Sequence, residues 1–160
     1  MPFTPFHFGP GAALHALAPR QVSLLAFAAV NVLIDFEPLY FMLRAEEPLH
    51  RFMHTLPGAA LAAVATLFLF LAARRWAVRL HLPDWFAWKT LNVAPVLVGG
   101  ALGSFTHLLF DGIMHADLRP LSPWTDWNPL LGWLSIDALH AFCVGSGVAA
   151  AIILILRNRK

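Results

Sequence analysis

Residues 93–115, VAPVLVGGALGSFTHLLFDGIMH, decide the fold. As one continuous helix this stretch rises about 34 Å, enough to cross a hydrocarbon layer about 30 Å thick. Its only formally charged side chain is Asp111. His107, Asp111 and His115 recur at every fourth position, so they stack on one helix face, and Ser104 extends that face inward. Ionisable groups at membrane depth are costly without a partner, a metal or a wet cavity. The segment therefore predicts both a membrane helix and a functional strip along it.

Three further stretches are long enough, or nearly so, to cross lipid: 21–43, 56–73 and 134–156. The composition agrees, with 59% hydrophobic and 12% charged residues, against about 25% charged in soluble domains. Mean hydropathy is +0.66. We read the 160 residues as a single integral membrane domain, an all-α polytopic helical bundle. The alternative, a soluble helical bundle, would lack the surface charge that keeps such proteins apart. Cys143 stands alone in an apolar segment, which excludes an internal disulfide and a cysteine-based metal site. The first residues lack the basic-then-apolar order of a cleavable signal peptide. The net charge is +2, and the basic residues, divided between two interfacial segments, carry no nucleic-acid recognition motif. Nothing in the chain specifies an oligomer.

The N-terminal part is unusual. Pro10 suits the first turn of a short helix over 10–18, and Pro19 suits the opening of another over 20–36. Nine residues of helix rise only about 13 Å. Residues 5–36 are therefore expected to form a re-entrant helix hairpin that turns near Arg20 at half depth, covered by the other helices. That hairpin returns His7 towards Asp35. Pro57 and Gly58 open the next helix. The basic, aromatic run RRWAVRLHLPDWFAWKTLN (74–92) is expected to lie along the interface, with Trp76, Trp85 and Trp88 at headgroup depth. Gly99, Gly100 and Gly103 permit close helix packing. Residues 116–133 form an outer loop in which Trp124, Trp127 and Trp133 are interface anchors.

Charge bias orients the bundle. Arg20, Arg74, Arg75, Arg79, Lys89, Arg157, Arg159 and Lys160 share one side, which the positive-inside rule makes cytoplasmic. Eight of the nine acidic residues and six of the eight histidines fall near the opposite face. A multi-pass protein of the cell inner (plasma) membrane follows, with its site on the periplasmic or extracellular side.

The polar cluster has several parts. His and carboxylate ligands at the 107/111/115 spacing suit a divalent ion of the zinc or manganese class, although a transporter's polar strip would look similar. In LHRFMHT (49–55), His50 and His54 are again four apart around Arg51. Arg51 could clamp a phosphate, or simply snorkel to lipid headgroups. Asp35 and Glu37 in NVLIDFEP (31–38) offer one carboxylate for metal and one as bridge or base, or else an interfacial acid pair. Asp117 and Arg119 read as orienting residues or plain loop charges. Asp137 and His140 either complete the site or pair with neighbouring helices. His15 and His81 receive no chemistry.

Taken in order, FTPFHFGPG, VLIDFEP, LHRFMHT and THLLFDGIMH resemble the metal-dependent hydrolase family of bacterial inner-membrane proteins, over roughly residues 4–120. The family pattern is a histidine preceding a glycine, an acidic motif after an apolar helix, an H-R-x-x-H-[ST] segment and a later H-x-x-x-D. The resemblance implies metal-site roles for His7, Asp35, His50, Arg51, His54, His107 and Asp111, with His115 extending the last motif. Many members carry a proline–aspartate pair followed one residue later by a second aspartate. This chain has Ile34-Asp35-Phe36-Glu37, so Glu37 stands in the second aspartate's place with a longer reach.

These readings lead to an expected metal-dependent hydrolase with one or two divalent ions, zinc first and manganese or iron as alternatives. Its partner is membrane lipid, and its expected substrate is a phosphoester or lipid-like molecule at the outer leaflet. Asp35, His54, His107 and Asp111 are the first choice of ligands, Glu37 or Asp117 the general base, and Arg51 the cation that stabilises developing charge. The rival reading is a metal-ion transporter or a non-enzymatic, metal-stabilised scaffold. A transporter needs polar groups continuing through the bundle, and here they thin out towards the cytoplasmic half.

Overall fold

The computed structural model describes residues 4–77 and 79–158. Phe3 of the first motif, and Arg159 and Lys160 of the charge bias, lie outside them. The described chain is all-helical: α1 (Phe8–Leu17), α2 (Leu24–Leu43), α3 (Leu56–Trp76), α4 (Val93–Met114) and α5 (Ile136–Asn158). Four of these, α2 to α5, are long and apolar enough to cross a membrane. Short 3-10 turns at Thr4–Phe6, Phe52–His54 and Trp85–Thr90 lead into α1, α3 and α4.

The central element is α4, which packs against both α2 and α3, and these two also touch each other. Its glycines explain how closely α2 comes. A Cβ on Gly99 would sit 2.4 Å from the Ser23 carbonyl oxygen, and one on Gly103 2.5 Å from Val30 Cγ1. Glycine at both positions lets α2 approach at backbone distance, the close packing that holds helices together where lipid removes the hydrophobic drive. The Ser23 hydroxyl accepts from Ala26 N–H to start α2, and its own N–H donates to Pro95 O at 3.0 Å, fastening the start of α2 to that of α4.

α1 runs antiparallel to the first half of α2. It is ten residues long, about 15 Å. Residue 35 lies about 17 Å along α2 from its start, so His7 at the head of α1 comes level with Asp35. The turn between them is closed by His15, whose Nδ1 lies 2.8 Å from Val22 O. The structure corrects the second arm of the expected hairpin. α2 does not stop at residue 36; it continues through Pro38 to Leu43, twenty residues or about 30 Å, a full membrane thickness. Proline removes one N–H from the helical ladder, and the apolar run 39–43 carries the helix past that gap. Only α1 is half-length.

α5 packs chiefly on α1. The Arg157 guanidinium donates to the Ala16 carbonyl oxygen, so the basic end of α5 caps the end of α1. Trp76 and Trp85 are exposed, as are Trp124, Trp127 and Trp133 in the 116–133 loop. Trp88 departs from expectation. It turns inward against Phe70, Ala26, Ala77 and Val96, and its indole N–H donates to Pro83 O at 2.7 Å, which allows the ring to be buried.

Candidate metal centre

Four elements converge where α1 begins, α2 passes residue 35, α3 begins and α4 passes residue 107. Asp35, His54, His107 and Asp111 each bring one ligand-capable atom within 4.8 Å of the others. His107 Nε2 lies 3.3 Å from His54 Nε2, 3.4 Å from Asp35 Oδ1 and 3.2 Å from Asp111 Oδ2. His54 Nε2 lies 3.5 Å from Asp111 Oδ2. Four N and O ligands bonded at about 2.1 Å around a tetrahedral ion stand about 3.4 Å apart, so the spacing fits a divalent cation of zinc size.

The outer atoms of the same residues are held in place. Asn31 Nδ2 donates to Phe27 O at 2.7 Å, which turns its Oδ1 towards His107 Nδ1 at 2.9 Å. His107 then carries its proton on Nδ1 and presents the Nε2 lone pair inward. Glu37 Oε2 lies 3.4 Å from His54 Nδ1 and accepts from Arg51 N–H at 3.0 Å, and Met53 N–H reaches both oxygens of Glu37. Asp117 repeats the arrangement for His50: both its oxygens lie 3.0 Å from His50 Nδ1, and Oδ2 also accepts from Leu49 and His50 N–H. A partner at the outer nitrogen that orients the inner one is the usual setting of a metal-binding imidazole.

These contacts also explain the local fold. Glu37 binds the backbone of 51–53 and sets the 3-10 turn that carries His54, and Thr55 caps α3 by accepting from Gly58 N–H at 3.1 Å. The 116–133 loop closes over the end of α4: Asn128 Nδ2 donates to Gly112 O, and Gly132 N–H to Ile113 O. Leu118, fully buried against Ala59 and Leu108, pins Asp117 beside His50.

Of the remaining expected residues, His7 is buried behind the four. Its Nδ1 lies 3.1 Å from His107 Nδ1 and its Nε2 3.3 Å from Asp111 Oδ1, although neither member of that second pair is aligned for a hydrogen bond. His115 caps α4 and stacks on His50 with ring centroids 4.2 Å apart, and His50, Asp111 and His115 form a second close group. Arg51 packs over the Phe41 ring at 3.5 Å and donates from Nε to Pro48 O and from Nη2 to Glu47 O. Together with His50, Thr55, Asp117, Arg119 and Ser122 it lines an open groove of about 490 Å³. Asp137 and His140 are not brought in: Asp137 is exposed and His140 stacks on Phe6 at 4.4 Å. Ser104 turns its hydroxyl to Ala101 O.

The loop groups titrate as these contacts dictate. Burial opposes a charge on His54, but hydrogen bonds to Asp111 and Glu37 outweigh it and raise its pKa. Burial lowers that of His115. Partial burial works against the Asp117 carboxylate, yet the backbone N–H and imidazole of His50 hold its pKa below the ordinary value.

Asn31 escaped the sequence reading. Its signal was available: a lone amide in an apolar run, four residues before Asp35 and thus on the same helix face.

Comparison with family models, with curated proteins and with solved structures finds no match to this chain. The buried His/Asp cluster, able to coordinate a divalent ion inside a bundle of membrane-length helices, is what the geometry establishes.

Proposed function

We propose that the chain is a membrane-embedded, metal-dependent hydrolase acting on a phosphoester or lipid-like substrate at the outer leaflet of the inner membrane. The observation that carries this reading is the meeting of His54 Nε2 and His107 Nε2 at 3.3 Å beside two carboxylates, with the outer nitrogens of both rings directed at acceptors. Lone pairs and negative charge gathered so closely call for a cation. A divalent ion held there supplies Lewis acidity, which acidifies water and polarises a phosphoryl or acyl oxygen.

The chain's own residues then divide the work. Asp35, His54, His107 and Asp111 hold the ion, with zinc the first choice for a site of two imidazoles and two carboxylates. Asn31, Glu37 and Asp117 act as positioning residues. The oxygens of Glu37 and Asp117 already accept backbone N–H groups, which supports orientation of the imidazoles over the general-base role that sequence suggested. His7 backs Asp111 and His107 from the side of α1. Arg51, held by Phe41, two carbonyls and an ion pair with Glu46 at 3.6 Å, lines the groove, where an anionic headgroup would compete with Glu46 for it.

A one-sided pocket favours hydrolysis over transport. On the side of the bundle away from the cluster, the packing between α2, α3 and α4 is apolar, built on Ala26, Phe70, Trp88 and Val96. The resemblance of the four ordered motifs to membrane hydrolases, the periplasmic or extracellular orientation and the half-depth placement of α1 belong to the same proposal. Turnover of a phospholipid and of a phosphomonoester by zinc- or manganese-loaded protein in nanodiscs tests it. Activity that is lost in Asp111→Asn supports the hydrolase. Full metal loading with no turnover of either substrate class favours the scaffold.

A further inference from the structure

Asp111 belongs to both close groups of ligand-capable residues: one with Asp35, His54 and His107, the other with His50 and His115. The second group differs from the first in ways that matter. It has three members instead of four, so an ion held there keeps an open coordination position, as catalytic sites do and closed structural sites do not. It also adjoins the groove. His115 is half-buried, and His50 lines the groove with Arg51 and Arg119, whereas none of the first four residues does.

The second group is built to the same plan as the first. Asp117 takes His50 Nδ1 and thereby leaves Nε2 as that ring's remaining nitrogen. His115 stacks on the His50 ring at 4.2 Å, and its backbone N–H donates to Asp111 O at 2.8 Å, which fixes the turn that carries it. Asp111 Oδ2 faces the two Nε2 atoms of the first group, while Oδ1 is buried, makes no hydrogen bond and lies 3.3 Å from His7 Nε2. A carboxylate that belongs to both groups, with one oxygen making no hydrogen bond, is suited to bridging two cations.

We propose that the chain binds two divalent ions bridged by Asp111: an inner ion on Asp35, His54, His107 and Asp111, and an outer, substrate-facing ion on His50, Asp111 and His115. The proposal rests on the metal-dependent reading above and deepens it. Two ions about 3.5–4 Å apart form a clamp suited to both the attacking and leaving oxygens of a phosphoester. The open position of the outer ion and the cations of Arg51 and Arg119 share one groove, so the ligand class that fits is an anionic phosphoester headgroup.

Two measurements on the full chain in detergent or nanodiscs test this: divalent ion content per chain after loading with Mn²⁺, and the electron paramagnetic resonance of the bound manganese. The expected wild-type result is two ions per chain with an exchange-coupled spectrum. His115→Gln and, independently, His50→Gln should each hold one ion with an uncoupled spectrum and keep the wild-type elution volume. One ion per chain in the wild type, unchanged by His115→Gln, overturns the two-ion centre while leaving the inner site and the proposed function standing. No bound ion at all overturns both. The wild-type stoichiometry alone decides the matter if either variant fails to fold.

Discussion

His54 and His107 approach nitrogen to nitrogen, Nε2 to Nε2 at 3.3 Å, from the turn before α3 and from within α4. With Nδ1 of each ring directed at an outer acceptor, two lone pairs face one another beside Asp35 and Asp111. A cation between them removes that conflict; without one, a proton must. Proton and metal therefore compete for the same pair of rings.

The proton takes the ion's place on His54, whose pKa in the metal-free fold lies above the ordinary 6.5. A raised folded value stabilises the metal-free protein fully below the unfolded pKa and loses that contribution as pH rises through the folded one. The ion needs the neutral ring, so zinc affinity should climb over the same window and level off only above the folded pKa. Thermal unfolding with chelator and with zinc, followed from about pH 6 to about pH 9, should therefore diverge as pH rises. Parallel curves would remove His54 from the ligand set.

Asn31→Ala deletes the acceptor that orients His107 and touches no proposed ligand oxygen. Loss of such an outer partner typically costs about 10–100-fold in metal affinity. Competition with a chromophoric zinc chelator should register that loss, with a smaller change in the thermal stability of the chelated protein. Unaltered affinity would show that Asn31 is only a helix-packing amide.

Glu37→Ala leaves the backbone N–H groups of Arg51 and Met53 without their acceptor. Unsatisfied buried donors cost about 1–3 kcal/mol each. The expected result is a lower unfolding temperature even in the absence of metal, together with weaker zinc binding because His54 loses its orientation. Glu37→Gln keeps an acceptor oxygen and should recover part of both.

Gly103→Ala places a methyl group 2.5 Å from Val30 Cγ1 and 2.9 Å from Phe27 O, so α2 must move away from α4. Overpacking of this kind costs about 1–3 kcal/mol. Because Asp35 and Asn31 ride on α2 while His107 and Asp111 ride on α4, metal affinity should fall along with stability. Ala101→Gly, on an exposed face of α4, should leave zinc binding intact and serves as the control.

Much of the site was legible because helices repeat. The i,i+4 pairs in LHRFMHT and THLLFDGIMH placed imidazoles and carboxylate on common faces, and the brevity of α1 returned His7 to the level of Asp35. Other features depended on partners that local pattern does not reveal. The hairpin arm was expected to end at 36, yet α2 continues through Pro38 to Leu43. Glu37 and Asp117 carried the charge of a base, and only the backbone N–H groups folded around them mark them as anchors. Asp137 and His140 shared a promising spacing, but α5 meets the bundle mainly through α1 and turns them away from the centre.

In the proposed centre, Asp35, His54, His107 and Asp111 hold a divalent ion. Elemental analysis of the detergent-purified full chain and of Asp111→Asn, after zinc loading and removal of excess, tests it most directly. The expected result is tightly held zinc in the wild type and its loss in a variant that still elutes as a folded protein. Full zinc content in Asp111→Asn, or none in the wild type, would contradict it.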